Sequence, residues 1–377
     1  MKTIKEIEKI GFFEEIENKI VLIEWPEKIE KILKKRIDIL FIKKKKLKNF
    51  MDISIFKKIG INDFKLKPIK SDASFRKYFR VYIKNQKKKL LLVNSPKKTE
   101  NNLGYLKTTS ILEKMDLSVP KIINFDISKD FFLIEDFGIN TYTNSLKNGE
   151  SEFKLYNLAT EILLHINKHS KSLEKELPKY TNKKLIDEVL LFLKWYWPAI
   201  YKKPPKKRII NEFIKIWENL LNKNLKTKKV LVHRDFHIDN LFFLKNRQNL
   251  KACGLIDFQD AVIGPSSYDL VSLLEDSRRD VDKNIIAKMY RKFINKLSKK
   301  EKKNFTKEYE ILAVNRHLKV IGIFSRLYMR DKKKSYLKHI PRLWRLIEQN
   351  LSFNSLSELN KWINNSFPKK FRIKPRI

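Results

Sequence analysis

The 377-residue chain contains a single cysteine, Cys253, and only 8 glycines. One cysteine permits neither an intramolecular disulfide nor a four-thiolate zinc site, so the fold must stand on packing, and a reducing compartment suits it. The glycines nowhere form the G-x-x-x-x-G-K-[ST] pattern that cradles phosphates at a helix N-terminus, which excludes a P-loop hydrolase. His165 and His169 have helical i,i+4 spacing, but Ile166 stands where the zinc-hydrolase pattern H-E-x-x-H needs glutamate. No apolar run reaches membrane-spanning length, and the opening stretch MKTIKEIEKIGFFEEIE breaks its apolar residues with charge too often for a signal peptide. A cytoplasmic protein with no membrane partner is expected, long enough for two lobes.

Acidic residues are also scarce: 43 Asp and Glu stand against 83 Lys and Arg, a formal net charge of +40. Such a balance invites a nucleic-acid reading, because neutralising phosphates releases counterions. The lysines, however, occur singly or in short clusters such as IKKKKLK (Ile42 to Lys48), which reads as a usage bias spread over solvated faces rather than a dedicated nucleic-acid surface. No obligate protein partner is called for. Against the trend, Asp257, Asp260, Asp269, Glu275, Asp276 and Asp280 form an acidic island that suggests a cation site.

Hydrophobic periodicity predicts strands at LKPIK, YFRVYI, LLLV, KIINFDI and FFLIEDF, with one helix around Tyr105 to Met115. Beyond Gly138 helical patterns take over, at Phe153 to Asn167, Lys184 to Trp195, Ile209 to Leu221, Asn284 to Leu297 and Tyr309 to Arg330. The expected organisation is α+β: a short β-containing extension over 1–48, a small mainly β lobe over 49–137 and a larger helical lobe over 138–377.

The chemistry concentrates in VLVHRDFHIDNLFFL, Val230 to Leu244. His233-Arg234-Asp235 followed by Asn240 fits the kinase catalytic loop H-R-D-x-x-x-x-N, where aspartate receives the acceptor's hydroxyl proton and asparagine offers a carbonyl oxygen to magnesium. Asp257, after the apolar CGLI, then fits the second metal ligand; hard oxygen donors plus ATP phosphates suit Mg2+. Gln259 stands where a D-F-G glycine would fall and no A-P-E follows, which argues against a protein substrate.

The pattern H-x-D-x-H-x-x-N followed by I-D-F-x-x-A-x-x-G-P-x-x-Y-D-L resembles the aminoglycoside phosphotransferase and choline kinase superfamily. SDASFRKYFRV, LIEDFG, LLEDSRRDV and NRHLKVIGIFSRLYMRD resemble, more narrowly, the bacterial anomeric kinases of cell-wall recycling, over roughly Asn49 to Pro368. The resemblance implies a protein-kinase-like two-lobed fold, ATP and magnesium as cofactors, and phosphorylation of N-acetylmuramate or N-acetylglucosamine at the anomeric hydroxyl. Carried onto this chain, it implies Asp235 as the catalytic base and Asn240 and Asp257 as metal ligands. The backbone near Glu135 to Phe137 would meet the adenine edge. SDASFR would cover the phosphates, with Ser71, Ala73 and Ser74 small enough for backbone N–H groups to approach. His233 would brace the loop, His237 would orient it or line the acceptor pocket, and Asp260 would brace the loop or meet the substrate.

The third strand lacks the usual kinase lysine, with Val93 near its place, and Arg76 or Arg80 is the expected substitute at the phosphates. Arg278 and Arg279, after Glu275 and Asp276, are expected on a helix near the metal loop. One could face the lactyl carboxylate of a muramyl sugar, and an internal i,i+4 ion pair is the plainer expectation. IGFFEEIENKIVLIEWPEKIEKIL, Ile10 to Leu33, resembles the C-terminal end of the TsaE ATPase of tRNA threonylcarbamoyl-adenosine modification, without its P-loop. The alternatives to the sugar kinase are therefore a TsaE-related tRNA-modification factor, or a kinase for another small molecule such as an aminoglycoside or choline.

Overall fold

The computed structural model describes residues 54–69, 75–84, 89–170 and 173–375. The 1–48 extension and Ser71, Ala73 and Ser74 lie outside the described residues. The chain divides into two units, 1–64 and 65–377. The described part of the first holds a one-turn helix, α1 (Ser54–Lys57), and a turn in which the Phe56 ring stacks on Phe64 with centroids 4.0 Å apart.

The second unit opens with a five-stranded sheet in the order β1-β2-β3-β5-β4, comprising β1 (Phe64–Ile69), β2 (Lys77–Ile83), β3 (Leu90–Asn94), β4 (Ile122–Asp126) and β5 (Phe131–Glu135). The last four pair antiparallel, and α2 (Asn102–Lys114) joins β3 to β4. Asn101 caps α2 by accepting from Gly104 N at 2.9 Å, satisfying one of the amides that a helix start leaves open. Val93 is buried against Phe132 and Ile134, so the third-strand position that carries a lysine in other kinases is core here. After β5 the chain turns at Gly138 (φ +90°), a conformation glycine adopts without strain, while Arg80 grips Asp136 and donates from Nη2 to Gly138 O at 3.0 Å. Arg80 is thereby engaged at the connection that follows β5.

The helical lobe begins with α3 (Tyr142–Lys147), α4 (Glu152–His169) and α5 (Asn182–Leu191). From α5 the helix runs on through a π-helical turn at Phe192–Tyr196 into α6 (Trp197–Tyr201), followed by α7 (Lys207–Asn224). On α7, Phe213, Ile216, Trp217, Leu220 and Leu221 recur at helical spacing and are buried together, each contributing roughly 1.5–3 kcal/mol. Then come the short strands β6 (Lys229–Val232), β7 (Leu241–Phe243), β8 (Cys253–Leu255) and β9 (Val262–Pro265), paired β6 to β9 and β7 to β8. Helices α8 (Tyr268–Leu274), α9 (Lys283–Ile294), α10 (Lys299–Met329), α11 (Ile340–Asn350) and α12 (Ser357–Ser366) complete the lobe.

Helix α10 is the axis of this lobe. It starts ten residues before the expected Tyr309 because Ser298 and Glu301 form a reciprocal capping box. Residues 308–322 of α10 are all buried, polar ones included, so no solvent-facing stripe survives and the helix threads the core. It approaches α5 so closely that a Cβ on Gly322 would lie 2.4 Å from Leu191 C and 2.6 Å from its carbonyl oxygen. Backbone cannot yield as a side chain would. Gly322→Ala is therefore expected to lose about 1–3 kcal/mol by overpacking, despite alanine's better helix propensity. A urea midpoint equal to or above wild type would show that α5 moves aside freely.

Candidate active site

The site is built on the two short hairpins. Strand β6 ends at Val232 and β7 starts at Leu241, so residues 233–240 span the gap as a loop between two buried apolar anchors. Its entry is fixed from below by Asp269 on α8, whose carboxylate accepts from His233 N at 2.6 Å and Arg234 N at 3.0 Å. The His233 imidazole, buried, bonds Ile256 O through Nε2 at 2.9 Å and accepts from Asp235 N through Nδ1 at 3.3 Å. It braces one hairpin against the other. Arg234 takes up a left-handed backbone (φ +77°), which turns the following Asp235 outward into the cleft.

Among the described residues the Asp235 carboxylate makes no hydrogen bond; it is exposed, with its backbone carbonyl held by His237 N at 3.1 Å and Asn240 Nδ2 at 3.0 Å. Although solvent reaches it, the protein around it removes enough water to oppose its charge, and Lys319, His237, Arg316 and His233 outweigh that desolvation and hold the carboxyl down at about 2. Burial pushes the Asp269 carboxyl the other way, up to about 6, against the pull of His233 and the two backbone amides.

Asn240 and Asp257 meet through the second hairpin. Leu241 faces Leu255 in the β7–β8 register, and Ile256 N donates to Asn240 O at 3.2 Å, so Asn240 and Asp257 emerge at the same end. Because Asn240 Nδ2 is spent on Asp235 O, its Oδ1 is left as an oxygen donor. Asp257, at φ +65°, accepts from Gln259 Nε2 at 3.0 Å through Oδ1, leaving Oδ2 for another partner. Among the described residues no three His, Cys, Asp or Glu gather around one point, so the acidic island is not a self-sufficient cation site. Its members disperse. Asp269 anchors the loop, Glu275 accepts from His317 Nε2 at 2.8 Å, Asp280 pairs with Arg342 and Arg345, and Asp260 is exposed, offering its carbonyl to Arg234 Nη1 at 3.3 Å.

Gln259 proves more than a departure from the D-F-G pattern. Its Oε1 accepts from Arg76 Nη1 at 2.9 Å, so the side chain relays Arg76 to Asp257. Arg76, 5 % exposed, also donates to Ser95 Oγ at 3.1 Å and lies 3.2 Å from Glu100, just before α2. Arg76 is thus a buried arginine tied to a glutamate beside α2 and, through Gln259, to Asp257. Phe137, after β5, lays its ring against Gly254, where an added Cβ would be only 2.6 Å from ring Cε2. Arg247 covers that ring at 5.3 Å and also pairs with Glu135, while among the described residues the Phe137 N–H and C=O have no partner.

The segment after α8 corrects the expectation of a helix with internal i,i+4 pairs: residues 275–280 are a loop. Arg279 pairs with Glu152 of α4 at 2.7 Å, and Arg278 turns to the catalytic loop, reaching His237 Nε2 at 3.2 Å. Arginine can only donate, so His237 Nε2 is the acceptor, and desolvation followed by the Arg278 charge lowers the imidazole's pKa and keeps it neutral.

From the sequence, Asp269 has only a place in the acidic island, not that of a loop anchor, and Glu188, Arg316 and Lys319, which come from helices far apart along the chain, have no role. Glu188 on α5 receives Lys319 Nζ at 2.8 Å and pairs with Arg234, and Tyr180 donates to it as well. No local spacing signals such a cluster.

The opposed shifts of Asp235 and Asp269 predict distinct pH effects. Unfolded, both titrate near 3.8. Asp269 binds its proton more readily when folded, so its contribution to stability falls as pH rises from about 4 to about 6 and is level above. Asp235 does the reverse, its contribution being lost as pH falls from about 4 to about 2. Activity should thus show an acid limb near pH 6, as Asp269 takes a proton and loosens its hold on the loop, with none near pH 4 from Asp235. A kcat/KM profile flat from pH 7 to 5 would contradict this.

A β lobe, a helical lobe and a loop bearing one open carboxylate beside two oxygen donors define a small-molecule phosphotransferase. The chain belongs to the phosphotransferase enzyme family abbreviated APH, whose model matches residues 65–295. It is 31% identical over 293 residues to the N-acetylmuramate/N-acetylglucosamine kinase of Neisseria meningitidis serogroup B, covering 74% of this chain and 84% of that relative. It is 29% identical over 287 residues to the kinase of the same name from Pseudomonas aeruginosa, covering 74% and 82%. Among solved structures, an ADP-bound aminoglycoside phosphotransferase APH(2'')-Ib superposes with a TM-score of 0.53 at 20% identity, over 80% of this chain and 100% of that one. The choline kinase LicA of Streptococcus pneumoniae gives 0.55 at 14% identity, over 80% and 98%. These structures share the two-lobed fold. Among the described residues no helix is long and apolar enough to cross a membrane.

Proposed function

We propose that the protein transfers the γ-phosphoryl group of ATP to the anomeric hydroxyl of N-acetylmuramate or N-acetylglucosamine, giving ADP and a sugar 1-phosphate for cell-wall recycling. The observation that carries this reading is the likeness, near 30% identity, to kinases of that name, over a segment that includes Asp235, Asn240 and Asp257. In the step itself the anomeric oxygen bonds to phosphorus, the bond to the ADP oxygen breaks, and the hydroxyl proton passes to Asp235. A carboxylate held at about 2 is a weak base toward a resting hydroxyl. Its work is to orient the oxygen and accept the proton late, as a loose phosphoryl-transfer transition state requires.

Magnesium fits the donor set: Asn240 Oδ1 and Asp257 Oδ2 are two hard oxygens, and nucleotide phosphates would supply others. When bound, the ion neutralises charge on the phosphates. Arg76 is placed to reinforce Asp257 through Gln259 rather than to meet the phosphates alone. The partnerless Phe137 peptide groups suit the adenine edge.

Purified protein given ATP, magnesium and each sugar should release ADP with both amino sugars and little with choline or an aminoglycoside. Turnover confined to the latter would replace this reading with another kinase of the same family.

A further inference from the structure

Arg316 lies on α10 with 4 % of its surface exposed, and its Nη1 is wholly buried with no hydrogen-bond partner. No ion pair holds its guanidinium among the described residues. A buried cation is expensive to leave unpaired, so folds pair it or reserve it for a ligand. Three residues on, Lys319 shares its face of α10 and donates to Glu188, which pairs with Arg234 of the 233–240 loop. His317 Nε2 meets Glu275 Oε2 at 2.8 Å, and Asn350 Nδ2 donates to the same oxygen at 2.9 Å, which clamps the 275–279 loop onto α10 beside Arg316.

From that clamp Arg278 reaches His237 of the catalytic loop at 3.2 Å and approaches Asp239 at 3.8 Å. Arg316 in turn is one of the cations whose field acts on Asp235. The same region holds the His339 imidazole down at about 4, through desolvation first and then Lys338, Arg342 and Arg278. Three of the local carboxylates are already engaged. Glu275 is held by His317 and Asn350, Asp280 by Arg342 and Arg345, and Asp239 accepts from Thr143. Asp276 accepts from Arg278 N at 2.7 Å through Oδ1, while its buried Oδ2 has no partner. A reserved guanidinium and a reserved carboxylate oxygen together match a ligand carrying both an acid and hydroxyl donors.

We propose that Arg316, assisted by Arg278, receives a carboxylate borne by the acceptor sugar on the Asp235 side of the cleft, making an acidic amino sugar the preferred substrate. This rests on the sugar-kinase reading above. Of the two sugars in the relatives' names, N-acetylmuramate alone carries such a group, on its lactyl ether.

The test compares both sugars with full-length wild type, Arg316→Gln and Arg316→Lys, by kcat/KM and by calorimetric titration in the presence of a non-hydrolysable ATP analogue. Wild type should favour N-acetylmuramate. Arg316→Gln should cut the muramate-to-glucosamine ratio of kcat/KM at least about tenfold, mainly through KM for the acid, and Arg316→Lys should restore part of it. An unchanged ratio, or an equal fall for both sugars as expected of a group serving the transferred phosphoryl or only the fold, overturns the proposal. Should Arg316→Gln not fold, the same ratio measured in Arg278→Gln and Arg316→Lys decides it. Arg316-dependent binding of N-acetylmuramate without turnover would sink the sugar-kinase reading and keep this one; absence of any preference for the acid in wild type would sink this one alone.

Discussion

Asp235→Asn should lower kcat by about 10²–10⁴-fold with KM for both substrates within a few-fold of wild type. The side chain carries no structural hydrogen bond among the described residues, and its shape is kept by the amide, so the loop has no reason to move. What is lost is the acceptor for the hydroxyl proton. The amide also presents an N–H toward the oxygen that must attack, which misorients it. The measurement is steady-state ADP release beside a thermal melt. A variant that melts within a few degrees of wild type and retains more than a tenth of its turnover would remove Asp235 from the reaction.

Glu188→Gln should lower the unfolding free energy by about 3–5 kcal/mol, the range for breaking a buried ion pair from one side. The Glu188 side chain is 12% exposed and stands against Lys319 at 11% and Arg234 at 16%, so neither cation can turn to solvent when its counter-ion goes. Burial opposes the charge on Glu188, yet Lys319 and Arg234 together lower its pKa, the sign of a carboxylate that the fold needs ionised. Activity should fall too, since Arg234 holds the left-handed turn that presents Asp235. Because leaving Lys319 alone is the main expense, Glu188→Gln combined with Lys319→Met should recover part of the loss. A single-variant change below about 1 kcal/mol in urea unfolding, or a double variant no better than additive, would show that the cluster is solvated.

Particular elements show where the sequence was readable. The alternation in YFRVYI and the helical spacing on α7 are each settled by one local face meeting one core, so periodicity sufficed. The start of α10 was missed because its cap at Ser298 precedes a lysine-rich, weakly apolar turn. The 275–280 segment has helical charge spacing at Glu275, Asp276, Arg278 and Arg279 yet forms a loop, because Glu275, Arg278 and Arg279 find partners on α10, on the 233–240 loop and on α4, while Asp276 turns back onto the amide of Arg278. Arg76 and Arg80 are four residues apart, two periods of strand alternation, and only their partners in space separate the one tied to Gln259 and Asp257 from the one tied to Asp136.

The order of residues alone determined the two lobes, the loop that carries Asp235 and Asn240, and Asp257 after the next hairpin, because strand and helix periods and the H-R-D-x-x-x-x-N spacing are local properties. Only the tertiary structure decided the charge state of those groups and what surrounds them. Asp269, Glu188, Arg316 and Lys319 are drawn from three helices into one desolvated layer beneath the loop. Electrostatic energy in such a layer depends on distances through space and on the exclusion of water, and neither quantity is written in chain order.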